Sequence, residues 1–439
     1  MNNASLELGG TNWAEKDGNI LGYSVGDTSG KYSPQEFTFA RGSNLSATRI
    51  DRAGLIVKGR ENVLLQSNQF DTTWYAGDIT LTSGQSGYDG SSDAWSVVPN
   101  TSSASHYLEQ SLSISGVYTM SVYAKANGYN YIFLWNSNAG KGQFFNLANG
   151  TIASPYLGGG IDATITSVGG GWYKCTFTFS ASGTGNNTFF ASNVDNAFIF
   201  AGNGTDGILI QDAQLEQGLA ASPYIETTTT SAQAGVLENT PRLNYTTGVA
   251  NPYLLLEPSR TNLIAQSEYF GDSYWTKDGA SVVGGFTSPE GLSNAFKLTE
   301  DSSNAVHLLQ RGFTVSSGSS YTYKIFVKMN GRKKIMLRES GSTGYYVAFD
   351  LLNNTILDQS NAIGTINKIG NDWVELTHTS VSGTAFNIAY FILPDNYVSG
   401  QPQTYQGDGT SGFYIYGAQL EEGSYPTSYI PTYSVSATR

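Results

Sequence analysis

The chain repeats itself, and this repeat constrains the fold more than any other feature of the sequence. The segment 62–67 (NVLLQS) returns roughly 200 residues later as the segment 262–267 (NLIAQS). Four further pairs recur in the same order, namely Trp74 with Trp275, His106 with His307, 145–152 with 349–356, and Trp172 with Trp373. A chain that repeats over this length is expected to contain two copies of one structural unit.

The ends of the two copies match most clearly. Segment 204–225 corresponds to 409–430, and both contain the sequence Ala-Gln-Leu-Glu, at 213–216 and 418–421. The spacing between matched positions changes little along the chain, so the two copies are expected to share one topology. We place the first copy at 58–228 and the second at 250–439, joined by a connection at 229–249. Residues 1–57 remain as a separate N-terminal arm.

The composition indicates strands rather than helices. The 439 residues include 51 Gly, 28 Tyr and 21 Phe, whereas only 13% are charged, which is typical of many short strands joined by turns. Apolar residues alternate with period two in 118–124, 173–179, 208–215 and 321–327, as in strands with one buried face. We therefore predict an all-β protein with two tandem antiparallel β-sandwich (jelly-roll) domains.

The charge and the cysteine count exclude several functions. A formal net charge of -12 disfavours nucleic acid and anionic membranes, because both are bound through Lys and Arg. Cys175 is the single cysteine, which excludes an intramolecular disulfide and a thiolate zinc site. The sequence has no run long enough for a transmembrane helix and no signal peptide at residue 1. We expect the chain to be made in a cytoplasm and not to insert into a membrane.

Three groups of motifs resemble modules that are widespread in bacteriophage structural proteins. They are 37–56 (FTFARGSNLSATRIDRAGLI), 254–263 (LLLEPSRTNL) and 408–421 (DGTSGFYIYGAQLE). Those modules are similar to jelly-roll carbohydrate-binding domains and occur in tail fibres, head fibres and capsid decorations. The resemblance implies a virion structural protein that leaves the host by lysis. It also implies contacts with other virion proteins through the N-terminal arm, a homo-oligomer such as a trimer, and contact with a host-surface polysaccharide.

No arrangement of residues indicates an enzyme. His106 and His307 occupy equivalent positions of the repeat, which favours a structural role, and Glu216 and Glu421 are interpreted as carboxylates at a sheet edge or an interface. The loops 202–207 and 407–409 carry oxygen ligands that suit calcium, but a tight turn is the simpler explanation. We predict no catalytic residue, no cofactor and no metal site.

Two strand faces are the candidate binding surfaces. Aligning 130–135 with 333–338 keeps Ile132 and Ile335, and Leu134 and Leu337, on the core side, so the alternate residues are expected to face solvent. In the first copy this predicts a glycan-binding platform of Tyr123, Lys125, Tyr131, Phe133 and Trp135. In the second copy it predicts a basic contact face of Lys324, Lys328, Lys334 and Arg338.

The sequence leaves three functions open. The first is a fibre or decoration subunit whose modules attach to a host-surface glycan. The second is a purely structural decoration protein, because exposed aromatic stripes also mark protein contacts. The third is a polysaccharide-degrading tailspike, which would need paired carboxylates at a defined separation.

Overall fold

The computed structural model describes residues 41–439, apart from 238–239, 247–248, 250, 340–343, 382, 384 and 400–402. Before residue 41 it describes the backbone of three short strands. All of the regular structure described is β-strand, which confirms the predicted all-β class. Most of the predicted N-terminal arm lies outside the described residues.

Strands follow one another throughout the described residues. Up to residue 59 they are β1 (Ala14–Lys16), β2 (Asn19–Tyr23), β3 (Pro34–Glu36), β4 (Thr48–Ile50) and β5 (Ile56–Lys58). From residue 60 to 234 they are β6 (Arg60–Asn62), β7 (Tyr75–Gly77), β8 (Ile79–Gln85), β9 (Ala94–Pro99), β10 (Ser103–Ser105), β11 (Tyr107–Asn127), β12 (Tyr131–Asn136), β13 (Lys141–Asn146), β14 (Thr151–Tyr156), β15 (Asp162–Gly169), β16 (Trp172–Ser192), β17 (Ile199–Ala201), β18 (Gly207–Gln217) and β19 (Ala232–Ala234). From residue 235 they are β20 (Leu243–Asn244), β21 (Tyr253–Leu254), β22 (Thr261–Asn262), β23 (Thr276–Asp278), β24 (Ala280–Phe286), β25 (Ala295–Glu300), β26 (Asn304–Ala305), β27 (Leu308–Thr314), β28 (Ser320–Asn330), β29 (Lys334–Glu339), β30 (Tyr346–Asp350), β31 (Thr355–Ser360), β32 (Ile363–Lys368), β33 (Val374–Val381), β34 (Ala385–Leu393), β35 (Tyr405–Gln406), β36 (Gly412–Glu422) and β37 (Ala437–Thr438).

The chain divides into two compact units, and one of them is interrupted in sequence. The inserted unit is Arg60–Ala234, and the split unit combines Met1–Gly59 with Gly235–Arg439. Residues 41–57, which we assigned to a separate arm, therefore lie in the same unit as the second copy of the repeat. The predicted connection 229–249 likewise divides between the two units.

The inserted unit contains two antiparallel layers. Its ten main strands are hydrogen-bonded in one continuous sheet, and the pairing register divides them into two layers. We call β14-β13-β12-β16-β11-β7 the front sheet and β8-β9-β18-β11-β16-β15 the back sheet. A common core joins them, since Leu108 and Phe189 of the front sheet belong to one buried cluster with Met120 and Ile210 of the back sheet. Burial of these apolar side chains is the main term that stabilises such a fold.

Two strands of the inserted unit belong to both layers. β11 and β16 are each 21 residues long and pair with each other throughout. Gly116 and Gly183 lie near the middle of this pair with φ of 111° and 101°, a backbone conformation that favours glycine. The two glycines allow both strands to turn from the front sheet into the back sheet.

The split unit has the same strand order. Its front sheet is β23-β27-β34-β29-β30-β31 and its back sheet is β24-β25-β36-β28-β33-β32. In this unit four separate strands, β27, β28, β33 and β34, replace the two long ones. Tyr323 of the back sheet and Tyr390 of the front sheet meet across the core, with ring centroids 6.2 Å apart.

A hairpin covers the outer face of the back sheet in the split unit. β4 and β5 form this hairpin, and Ile56 packs in one cluster with Phe326, Trp373 and Tyr416. Thr48 Oγ1 donates a hydrogen bond of 2.6 Å to the carbonyl of Tyr429. The segment just before the inserted unit is therefore an integral layer of the split unit.

Candidate functional site

The predicted aromatic residues of β12 lie on the outer face of the front sheet in the inserted unit. Ile132 and Leu134 point into the core, as expected, and Tyr131, Phe133 and Trp135 point outwards. The prediction that Phe133 is accessible is wrong, because its side chain is 1% exposed. Its ring stacks on Phe144 at 4.1 Å, and Phe198 of the segment after β16 covers it at 5.6 Å.

Tyr123 and Lys125 do not join this face. Both lie in the part of β11 that pairs with β18 and with the start of β16, so they belong to the back sheet. We expected adjacent strands, but the short segment between β11 and β12 crosses from one sheet to the other. Tyr123 is covered by Tyr88, whose ring is stacked on it at 3.8 Å.

The predicted basic face divides in the same way. Lys324 and Lys328 lie in β28 of the back sheet, whereas Lys334 and Arg338 lie in β29 of the front sheet. The prediction that the four share one open face is wrong, and Lys324 is only 1% exposed.

Each of these four cations reaches an acceptor in its own unit. The acceptors are the carbonyl of Thr427 for Lys324 at 2.5 Å, of Asn371 for Lys328 at 3.0 Å, of Tyr397 for Lys334 at 2.9 Å, and the Gln403 amide oxygen for Arg338 at 3.1 Å. Lys334 and Arg338 therefore hold the segment after β34 against the front sheet. These cations therefore make hydrogen bonds within their own unit and are not free surface charges.

One row across the front sheet of the inserted unit combines rings and polar groups. The strand register places Tyr75 beside Glu109, and Thr188 beside Trp135. Glu109 and Thr188 are neighbours across β11 and β16, and Thr188 Oγ1 donates to Glu109 Oε2 at 3.2 Å. We call Tyr75, Glu109, Thr188 and Trp135 the front row. Of these four, only Trp135 was predicted from the sequence, because strand pairing over this distance is not visible in a local pattern.

The front row offers aromatic stacking surface and the Glu109 carboxylate, whereas Thr188 is fully buried. Tyr75 is 62% exposed, and Trp135 is half-buried. The indole Nε1 of Trp135 is buried without a hydrogen-bond partner among the residues that the structure describes. Beside the row, burial and the Glu109 carboxylate raise the pKa of Tyr107 above its ordinary value. Its phenol therefore stays protonated and can donate a hydrogen bond.

The equivalent row of the split unit has a different chemistry. Register places Thr276 beside Gln310, and Ala389 beside Arg338. Gln310 donates to Asp278 at 2.6 Å. The two aromatic flanks and the hydroxyl of the front row are therefore replaced by Thr276, Arg338 and Ala389, so the equivalent row of the split unit lacks this combination.

The remaining candidates have structural roles. Both ring nitrogens of His106 contact backbone carbonyls, of Asp78 at 2.7 Å and Phe200 at 2.9 Å, and His307 makes the matching contacts. Glu216 and Glu421 are fully buried, so their interpretation as edge or interface carboxylates is wrong. They accept hydrogen bonds from the backbone amides of Ser222 and Thr427.

The two loops considered for calcium form side-chain-capped turns. Asn203 Oδ1 accepts from the amides of Thr205 and Asp206, and Asp408 Oδ1 accepts from those of Thr410 and Ser411. Within the described ranges, no three His, Cys, Asp or Glu side chains are grouped so that they could hold a metal ion. The described part of the chain also contains no helix able to cross a membrane.

Neither a protein-family model nor a curated protein matches the chain. Among solved structures, the chain is similar to an anti-sigma factor domain-containing protein at 9% identity, with 86% of this chain and 98% of that chain covered and a TM-score of 0.15. It is also similar to procruciferin, an 11S globulin from Brassica napus, at 9% identity, with 80% and 86% covered and a TM-score of 0.10.

Proposed function

We propose that this protein is a non-enzymatic structural protein of a bacteriophage virion, a fibre or decoration subunit that binds host-surface glycan through its inserted unit. The front row is the observation that carries the proposal for glycan binding. The virion location is supported by the resemblance of the motifs at 37–56, 254–263 and 408–421 to phage structural modules. In this proposal both units are jelly-roll domains of the carbohydrate-binding type.

The front row has the groups that a sugar ring requires. Tyr75 and Trp135 supply aromatic surface for the apolar face of a pyranose, and the Glu109 carboxylate between them accepts hydrogen bonds from sugar hydroxyls. Thr188 is fully buried and holds this carboxylate through its hydroxyl. Covering one ring contributes only about 1–3 kcal/mol at ~25 cal/mol per Å². Attachment therefore depends on several copies acting together, as a fibre or a decorated capsid provides.

Binding is tested by titrating the full chain with host-surface polysaccharide and with its oligosaccharides. Trp135→Ala should weaken binding by roughly 5- to 100-fold, and Glu109→Gln should weaken it through the lost charge-assisted bonds. Arg338→Ala changes the equivalent position of the split unit and is the matched control. Unchanged affinity in Trp135→Ala would refute the front row as the glycan site.

A second candidate is a purely structural subunit interface, favoured by apolar side chains beside the front sheet of the inserted unit. Ile152, Leu157, Val194 and Ile199 are all exposed, and exposed apolar groups of this kind mark protein contacts. Replacing Leu157 and Ile199 by Ser should impair assembly but leave glycan binding unchanged. Loss of assembly in Trp135→Ala, with no glycan bound by the parent protein, would favour the interface.

A further inference from the structure

Lys58 is buried between two carboxylates of the split unit. Its Nζ lies 2.7 Å from Glu268 Oε1 and 2.7 Å from Glu290 Oε1, and the three side chains are no more than 3% exposed. It also donates to the phenol oxygen of Tyr433 at 2.7 Å. Lys58 ends the hairpin of β4 and β5, whereas both glutamates come from beyond the inserted unit.

A carboxamide lies beside the same carboxylates. Asn294 Nδ2 donates to Glu290 Oε1 at 2.9 Å and approaches Glu268 Oε2 at 3.5 Å. The amine and the amide nitrogen therefore share one carboxylate oxygen and lie within two hydrogen-bond lengths of each other. Asn294 is buried, and its Oδ1 accepts no hydrogen bond from the described residues.

The surroundings keep this cluster dry. Tyr416 and Tyr429 donate to Glu268 Oε1 at 2.9 Å and 3.2 Å. Burial raises the pKa of both phenols well above the ordinary value, so they remain protonated donors. In a site with little water, proton transfer from an ammonium to a carboxylate costs less than in solution, because the neutral pair is favoured by burial.

We propose that Lys58 and Asn294 join in an amide cross-link that the protein forms by itself, with Glu290 as the catalytic acid and base. Glu290 first takes a proton from the Lys58 ammonium. The free amine then attacks Cγ of Asn294, and the carbonyl electron pair moves to Oδ1.

The intermediate collapses when the Cγ–Nδ2 bond breaks. Glu290 returns its proton to the leaving nitrogen, which departs as ammonia. The new amide nitrogen then loses a proton, and the ammonia takes up this second proton to become an ammonium ion. Lysine ammonium and asparagine carboxamide thus become a secondary amide and an ammonium ion, with atoms and charge conserved. No oxidant or further reactant is required. The bond would tie the hairpin to the split unit across the point where the inserted unit interrupts it.

The test is peptide mass spectrometry of the full purified chain after digestion with trypsin. A cross-link blocks cleavage at Lys58 and yields a branched product of 53–60 joined to 278–297, lighter than the sum of the two peptides by one ammonia and by nothing else. Separate peptides 53–58 and 278–297 in a folded sample would overturn the proposal. A branched product formed by loss of water would assign the bond to Glu268 or Glu290 and overturn Asn294 as the partner.

Variants separate the bond from folding. Lys58→Arg and Glu290→Gln should abolish the branched product, and Asn294→Asp should form it with loss of water. Lys324→Arg is the matched control, because Lys324 is an equally buried lysine paired with Glu375 at 3.4 Å, and it should keep the cross-link. Circular dichroism identifies any variant that fails to fold. Persistence of the product in Glu290→Gln would refute the role of Glu290.

Discussion

Replacing Asn62 by alanine should destabilise the inserted unit far more than an ordinary surface change. The Asn62 side chain is fully buried and makes four hydrogen bonds to the backbone. Nδ2 donates to the carbonyls of Ala213 and Ile225 at 3.1 and 2.8 Å, and Oδ1 accepts from the amides of Leu64 and Leu215 at 3.2 and 3.1 Å. One side chain thus ties the beginning of the unit to its last long strand, β18.

The size of this destabilisation follows from the buried backbone groups that lose their hydrogen bonds to Asn62. A buried donor without a partner costs about 1–3 kcal/mol, and Asn62→Ala removes the side-chain acceptor of two buried amides. With partial relaxation we expect a loss of roughly 3–5 kcal/mol in the free energy of unfolding. Asn262 makes the same four contacts in the split unit, to Ala418, Ile430, Ile264 and Leu420. Asn262→Ala should therefore cost a similar amount there.

Urea unfolding and calorimetry of the full chain measure both effects. Asn138→Ala is the matched control, since exposed Asn138 makes a single hydrogen bond of 2.8 Å to the Ser182 carbonyl and should cost less than about 1 kcal/mol. If the units unfold separately, each variant should shift a different transition. A loss in Asn62→Ala no larger than in Asn138→Ala would refute the role of the asparagine.

Three further outcomes follow from buried charges. Burial lowers the pKa of His378 to about 4, so as the pH falls the unfolded chain is protonated at this histidine before the folded chain is. The free energy of unfolding should therefore fall by up to about 3 kcal/mol as the pH drops from ~6.5 to ~4. In His378→Phe, the midpoint of urea unfolding should depend less on pH over this range. Burial raises the pKa of Asp212 to about 6, so the folded state is stable with the protonated carboxyl at low pH and loses stability as the pH rises through 6 and the buried group ionises. Asp212→Asn removes this buried charge, and it should therefore raise the melting temperature at pH 7 and not at pH 4. Arg332 donates to buried Glu300 at 2.9 and 2.5 Å, and Arg332→Met should cost roughly 3–5 kcal/mol, measured by calorimetry against Lys333→Met.

Much of the fold could be predicted from the sequence because positions that stay apolar in both copies of the repeat are expected to lie in the core of each unit. Ile132 and Ile335, and Leu134 and Leu337, were expected in the core and are fully buried. The alternating segments 118–124 and 321–327 are strands β11 and β28. The recurring Asn62 and Asn262 were visible as motif positions, although their role in closing each unit depends on contacts with residues far along the chain.

The candidate site was predicted only in part, because solvent exposure depends on what packs over a strand. Phe133 has the alternation of an outward residue, and it is outward, but Phe198 lies over it. Tyr123 and Tyr131 are close in sequence and lie in different sheets, since a short connection can cross between layers as readily as it can form a hairpin. Local periodicity determines the face of a strand and leaves the neighbouring strand undetermined.

The insertion explains why the hairpin before residue 60 packs in the split unit. A side chain at Gly235 would lie 2.0 Å from the carbonyl oxygen of Lys58, so the chain leaves and re-enters the split unit at adjacent points. The pairing of β6 with β19 closes the inserted unit at its own two ends. An insertion of this kind leaves both hydrophobic cores intact. It also makes the hairpin depend on its own contacts with the rest of the split unit, among them the two ion pairs of Lys58.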